Sequence, residues 1–277
     1  MLLTADVGNT QTVFGLWEGD RLAEHWRVAT EAERTGDEIG ALVGRLLELR
    51  DHWRVATERN RSGDELGALY ASFLDLSAVE GIALASTVPQ LHRSYEDFAK
   101  EYAKVELLDI GPGVRTGVPI RYDDPREVGP DRIANAVAAV ERYGPPAIVV
   151  DFGTSTNFDV VSPAGEYVGG VLAPGIEVSM EALFSRAARL FKVDFAEPET
   201  VIAKNTASSL QSGLVYGFAG QVDGIVDRIR GELGVDAQTV ATGGLADLIV
   251  PHARTLETID PFLTLEGVRI VWERNRE

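Results

Sequence analysis

Cysteine is absent from this chain, which excludes disulfides, thiolate metal sites and thiol nucleophiles. Histidine is scarce: His25, His52, His92 and His252 are scattered, with no HExxH pair, so a zinc centre is not expected. Neither a Walker P-loop (GxxxxGK[ST]) nor a GxGxxG fingerprint occurs, which disfavours a P-loop NTPase or a Rossmann dehydrogenase. No apolar stretch is long enough to cross a bilayer, and the opening residues hold no basic region followed by an apolar one; a cytoplasmic protein without a membrane partner is expected. Positive charge is also short. With 26 basic against 43 acidic residues the net charge is −17, whereas nucleic acid and anionic membranes call for clustered Lys and Arg, so no nucleic-acid partner is expected. Nucleotides stay open, because metal ions and backbone donors meet their charge locally. The 277 residues, 45% hydrophobic and 25% charged, suit one large or two medium globular domains with a sizeable core.

What is present is a strand–turn pair used twice. Asp6-Val7-Gly8-Asn9-Thr10 follows the apolar run Met1–Ala5 and leads into a second β-like run, Gln11 to Trp17. Asp151-Phe152-Gly153-Thr154-Ser155-Thr156 follows Ala147–Val150 and leads into Asn157 to Val161. Each copy reads as a buried strand, a tight glycine turn carrying a carboxylate and hydroxyls, and a hairpin return. Glycine lets the backbone approach an anion, peptide N–H groups and hydroxyls donate to it, and aspartate holds the accompanying metal. One copy alone would be an ordinary Asp–Gly hairpin. Two, each behind a buried strand, favour a phosphate clamp.

Residues 2–7, 12–17 and 21–28 look like a meander, with Glu18-Gly19-Asp20 as its second turn. A buried strand at 80–87, a helix from about 90 to 103 and a strand at 105–109 follow. After Gly144-Pro145-Pro146 a fresh buried strand opens a second half, with helices near 175–191 and 206–233, a strand at 238–242 and an apolar segment from Phe262 to Ile270. The pattern predicts an α/β protein of two related halves, 1–144 and 145–277, around a cleft. One stretch is duplicated: His25-Trp26-Arg27-Val28-Ala29-Thr30-Glu31 recurs as His52 to Glu58, and the similarity runs over 25–42 and 52–69. Each copy holds a strand-like run and then a capping box (Thr35…Glu38; Ser62…Glu65) opening an amphipathic helix. A meander has room for one third strand, so copy one is expected to supply it, with 31–57 as inserted length.

A third constellation, Gly129-Pro130-Asp131-Arg132, opens the helical run Ile133 to Val140. Proline suits a first helical turn, since its missing N–H would be unpaired there. Asp131 then sits where the helix dipole favours its ionised, proton-accepting form, and Arg132 can grip a carboxylate or phosphate. An N-capped helix with a solvated Asp–Arg pair would look the same. Gly169-Gly170 through Pro174-Gly175, Asn205-Thr206 ahead of Gln211-Ser212-Gly213, and Thr242-Gly243-Gly244 are further glycine-rich segments, each uninformative singly.

In this order the segments, together with Ser86-Thr87-Val88-Pro89 and Tyr122-Asp123-Asp124-Pro125, resemble the type III pantothenate kinases over nearly the whole chain. The resemblance implies two ribonuclease H-like (actin-like ATPase) domains around a nucleotide cleft. It further implies ATP-dependent phosphorylation of pantothenate, the first step towards coenzyme A. On this resemblance Asp6, Val7, Gly8, Asn9, Thr10, Gln11, Thr12 and Val13 hold the ATP phosphates, Asp6 with Mg²⁺ through them, and Thr154 also contacts ATP. Asp151 matches a monovalent-cation ligand, for K⁺ or NH₄⁺. Tyr122, Gly129, Pro130, Asp131, Arg132 and Thr206 match the pantothenate site, Asp131 as the base on the acceptor hydroxyl. A homodimer that completes the pantothenate pocket across its interface is implied as well. Pro130 replaces the family's usual small residue, and the duplication lies outside the family pattern. A kinase for another small hydroxylated acid and a non-enzymatic nucleotide-binding regulator are the alternative readings. The intact Asp6, Asp131 and Asp151 speak against the regulator.

Overall fold

The computed structural model describes residues 1–9, 11–29, 61–72, 74–187, 190 and 193–276. The chain forms two compact units, one of Met1–Gly117, Arg126–Ala134 and Thr264–Glu277, the other of Val118–Pro125 and Asn135–Leu263.

In the first unit β1 (Leu2–Val7), β2 (Gln11–Glu18), β3 (Arg21–Ala29), β4 (Gly81–Ser86) and β5 (Leu107–Asp109) form a sheet in the order β3-β2-β1-β4-β5. β1 pairs antiparallel with β2 and parallel with β4, as a meander followed by helical crossovers requires. In the second unit β6 (Ala147–Phe152), β7 (Ser155–Val161), β8 (Tyr167–Pro174), β9 (Gln238–Thr242) and β10 (Thr258–Ile259) repeat that order, with β6 antiparallel to β7 and parallel to β9. Each sheet is therefore built 3-2-1-4-5 with the same strand directions, and this is the ribonuclease H-like plan in duplicate. The central strands read as largely apolar runs because both faces are covered: the consecutive residues Leu3, Thr4 and Ala5 in one and Ala147 to Val150 in the other are fully buried.

β3 comes from the first copy of the duplicated stretch, as expected. The first described helix, α1 (Gly63–Ala71), comes from the second. Ser62 opens it with the predicted capping box: Glu65 N–H donates to Ser62 Oγ and Ser62 N–H to Glu65 Oε2. The inserted length at 31–57, the first capping box and the second His-Trp-Arg segment lie outside the described residues. α1 buries Leu66 and Tyr70, and the Tyr70 ring lies 5.1 Å from Phe14 and 4.7 Å from Phe98. Helix α2 (Pro89–Asp97) starts on its proline, and the chain winds on as a wider π turn over Phe98–Ala103 where the pattern predicts one continuous helix.

Helix α3 (Pro130–Tyr143) begins in the first unit, while α4 (Ile176–Arg186), α5 (Thr206–Leu233) and α6 (Ala246–Ile249) belong to the second. The apolar end of the chain is helix α7 (Leu263–Arg276). Its Gly267 lies so close to the start of α3 that an added Cβ would run into the Ala134 carbonyl. Strands β8 and β10 and helix α6 had no sequence expectation, and in β8 the composition explains why. Gly169 and Gly170 dilute its β-forming composition, and only its pairing with β7 makes it a strand.

Candidate active site

The two strand–turn pairs fold alike. Asp6 and Asp151 are each the second-last residue of a central strand, paired with Val13 and Asn157 across the hairpin. In the first turn Gly8 N–H donates to Gln11 O at 2.9 Å; in the second Gly153 N–H donates to Ser155 O at 3.0 Å. A Cβ on Gly8 would press on that Gln11 oxygen at 3.0 Å, so the tight return depends on glycine. Thr87, just past β4, donates both its N–H and its hydroxyl to Val7 O, at 2.9 and 3.2 Å, which fastens a second hydroxyl-bearing turn beside the first. Gln11 and Val13 are partly exposed and Thr12 is buried; Thr10 lies outside the described residues. Thr154 follows Gly153, and its carbonyl accepts from Gly175 N–H at 3.2 Å.

Asp151 is held from two sides within the second unit. Asn135 Nδ2, fully buried on α3, donates to Asp151 Oδ2 at 3.2 Å. Gly243 has φ +92°, and a Cβ there would stand 2.6 Å from Asp151 Oδ1 and from the Phe152 backbone. The carboxylate thus sits in a cradle that only glycine leaves open.

In the first unit Pro130 is the first residue of α3 and Asp131 the second, with Ile133 N–H bonded to Gly129 O at 3.1 Å. Asp131 Oδ1 is buried and has no hydrogen-bond partner among the described residues. A Cβ on Gly129 would collide with that oxygen. Burial raises the Asp131 pKa above the usual carboxylate value; the Arg132 N–H and guanidinium oppose this but do not cancel it. Burial thus works against the ionised form that the position at the helix start favours. Arg132 is buried.

Tyr122 lies in the second unit, its ring over Gly169 and 6.4 Å from the Tyr167 ring. Thr206 is the exposed first residue of α5, behind Asn205, whose side chain caps the helix by accepting from Ser208 N–H at 2.8 Å. The first unit thus holds Asp6 to Val13, Gly129, Pro130, Asp131 and Arg132, and the second Tyr122, Asp151, Thr154 and Thr206.

A sequence profile described as type III pantothenate kinase matches residues 2–50 and 44–228. The chain belongs to the type III pantothenate kinase family. A type III pantothenate kinase of Streptomyces griseus is 51% identical over 279 residues, covering 99% of this chain and 98% of its own. One from Myxococcus xanthus is 49% identical over 275 residues, covering 99% of each chain. A solved Campylobacter jejuni structure, described as a Baf family transcriptional activator, aligns over 99% of this chain and 98% of its own with a TM-score of 0.56. At 16% identity that likeness speaks for the fold alone. The two profile matches overlap at residues 44–50, between the two similar stretches 25–42 and 52–69.

Three residues without a sequence-derived role stand beside those of the family pattern: Asn135 and Gly243 against Asp151, and Tyr167 against Tyr122. Thr242-Gly243-Gly244 carried a signal, since a strand–Gly–Gly turn invites close approach. Asn135 is four residues past Asp131 on a helix, a spacing that places both on one face and was available from the start. Tyr167 had no signal, because its neighbour is distant in sequence.

Proposed function

We propose that this protein is an ATP-dependent pantothenate kinase that makes 4′-phosphopantothenate for coenzyme A synthesis, with Asp131 as the base on the acceptor hydroxyl. The observation that carries the base assignment is the buried Asp131 Oδ1 with no described partner, in the space that Gly129 leaves open. A carboxylate whose pKa is raised by burial accepts a proton more readily than a solvated one, and its open oxygen suits a substrate hydroxyl. Arg132, next in sequence, suits the pantothenate carboxylate, with Tyr122, Gly129, Pro130 and Thr206 completing the acceptor site.

ATP with Mg²⁺ supplies the γ-phosphoryl group. The turn from Asp6 to Val13 fits the phosphates, because its glycine lets the backbone approach an anion; Asp6 would hold the Mg²⁺ that accompanies them, and Thr154 would add a donor. Asp151 fits a monovalent cation, K⁺ or NH₄⁺, being a single carboxylate held by Asn135 above a glycine. Asp131 takes the hydroxyl proton as the acceptor oxygen attacks phosphorus. Positioning and charge stabilisation do most of the work, and the base contributes roughly 10²–10⁴-fold.

The two units are read as the two halves of the nucleotide-binding fold, and the protein as a cytoplasmic homodimer whose pantothenate pocket is completed by the partner subunit. Leu172 and Val168 on β8, Val178 and Leu183 on α4, and Val201 and Ile202 beyond it support the dimer. All six are large exposed apolar side chains of one unit.

ADP release with ATP, Mg²⁺ and K⁺ should depend on pantothenate and collapse in Asp131→Asn. Turnover that survives the substitution would remove Asp131 as the base. A folded, ATP-binding protein without pantothenate-dependent turnover would overturn the reading as a whole.

A further inference from the structure

We infer that Tyr167 is a positioning residue for the acceptor site, acting through Tyr122; this rests on the reading of Tyr122 as part of that site. Tyr122 lies in a segment without helix or strand, and such a segment needs an external support to hold a side chain to the precision a binding site requires. Tyr167 supplies that support in two ways, through its backbone and through its ring.

Its backbone clamps the segment: Tyr167 N–H donates to Pro119 O at 2.9 Å, and Arg121 N–H donates to Tyr167 O at 2.7 Å. The bridge so formed, Ile120 against Tyr167, adds one parallel rung to the edge of β8 two residues before Tyr122. Its ring then meets the Tyr122 ring at 6.4 Å and 38°. The ring is itself aimed from below, because the Tyr167 hydroxyl donates to Oδ1 of the fully buried Asp159 at 3.2 Å. Tyr167 is 1% exposed, so its rotamer is set by the core of the unit.

Two local features make the arrangement possible. The β7–β8 register shifts between Val160 and Val161, leaving Val168 as the extra residue of a bulge directly after Tyr167. Gly169, at φ +113°, takes a backbone conformation that favours glycine and lies against the Tyr122 ring, which a Cβ would meet at 3.6 and 3.7 Å, ordinary contact distances. At the surface, an ion pair of Arg121 with Glu166 at 2.8 Å fastens the same rung.

The chain of contacts runs from a buried carboxylate through a buried tyrosine to a partly exposed one. Substitution of Tyr167 should therefore reach pantothenate and leave ATP alone. The experiment measures KM for pantothenate and for ATP, and kcat, in Tyr122→Ala, Tyr167→Leu, Tyr167→Phe and Tyr167→Met, with folding checked by circular dichroism. Tyr167→Leu is expected to raise the pantothenate KM about tenfold, with kcat and the ATP KM within about twofold. Tyr167→Phe keeps the ring and is expected to restore most of the loss. Should Tyr167→Leu not fold, Tyr167→Met, which fills much of the ring's volume without its flat face, decides by the same split. An unchanged pantothenate KM in the deciding variant, beside a raised one in Tyr122→Ala, overturns the inference alone. An unchanged pantothenate KM in Tyr122→Ala overturns the site reading beneath it. Pantothenate and ATP constants rising together mean a general structural role and overturn it too.

Discussion

At the scale of single residues, the chemistry turns on side chains held where solution would not leave them. Asp131 is the clearest. Its folded pKa is raised by burial, so the ionised form costs stability at neutral pH, and that cost disappears below the usual carboxylate pKa, where folded and unfolded states are both protonated. Asp131→Asn should therefore raise the melting temperature at pH 8 while lowering kcat roughly 10²–10⁴-fold, with the thermal gain shrinking as the pH falls. In the parent enzyme kcat/KM should fall on the acid side through a pKa above that of a solvated aspartate, a limb that the residual activity of the Asn variant lacks. Gly243 makes a second case. Its φ of +92° and the 2.6 Å approach of Asp151 Oδ1 to an added Cβ predict that Gly243→Ala destabilises by about 1–3 kcal/mol. The same variant should need more K⁺ or NH₄⁺ for half-maximal activity; an unchanged requirement in a folded variant removes Asp151 as the cation ligand.

At the scale of elements, local signals placed most of the boundaries. The Ser62 capping box opens α1, Pro89 and Pro130 open α2 and α3, and Asn205 caps α5. These signals are local in cause, so they are legible locally. What could not be read is where elements meet. The close packing of α7 on the start of α3 is such a contact, since Gly267 admits the Ala134 carbonyl and no spacing in the sequence pairs the two. Gly267→Ala should lower the melting temperature and, by pushing the first turn of α3, raise the pantothenate KM; thermal denaturation and steady-state kinetics on one preparation test both. A variant as stable as the parent would show that the helices part at little cost. Strand β8 escaped notice for the same reason, because its two glycines favour no strand by themselves and its pairing partner on β7 decides the matter.

At the scale of the whole molecule, the duplicated stretch poses the most direct test. β3 is built from the first copy and α1 from the second, so one copy of each element is in use among the described residues. Residues 25–30 and 52–57 are identical, and excision of residues 31–57 joins Thr30 to Glu58 with the local sequence of the second copy intact. That shortened protein should fold and keep pantothenate-dependent turnover within a few-fold. Loss of both would give the extra length a structural role. The proposed homodimer predicts a mass near twice 30.0 kDa in sedimentation equilibrium, and Leu172→Glu on the exposed face of β8 should shift it towards one subunit.

The sequence by itself determined the fold plan and, through its likeness to the type III pantothenate kinases, the reaction class. Paired Asp–Gly turns behind apolar strands, an Asp–Arg pair at a helix start and the absence of P-loop and thiol chemistry are local or compositional facts, and ordered along 277 residues they admit few readings. Only the tertiary structure decided the state of the groups at the site. The Asp131 pKa goes up and not down because burial depends on what packs around the helix start, to which the helix's own sequence contributes little. Asn135 reaches Asp151 from 16 residues away, and Tyr167 meets Tyr122 across 45. Desolvation and long-range contact are properties of neighbours brought together by folding, and a linear pattern carries no record of them.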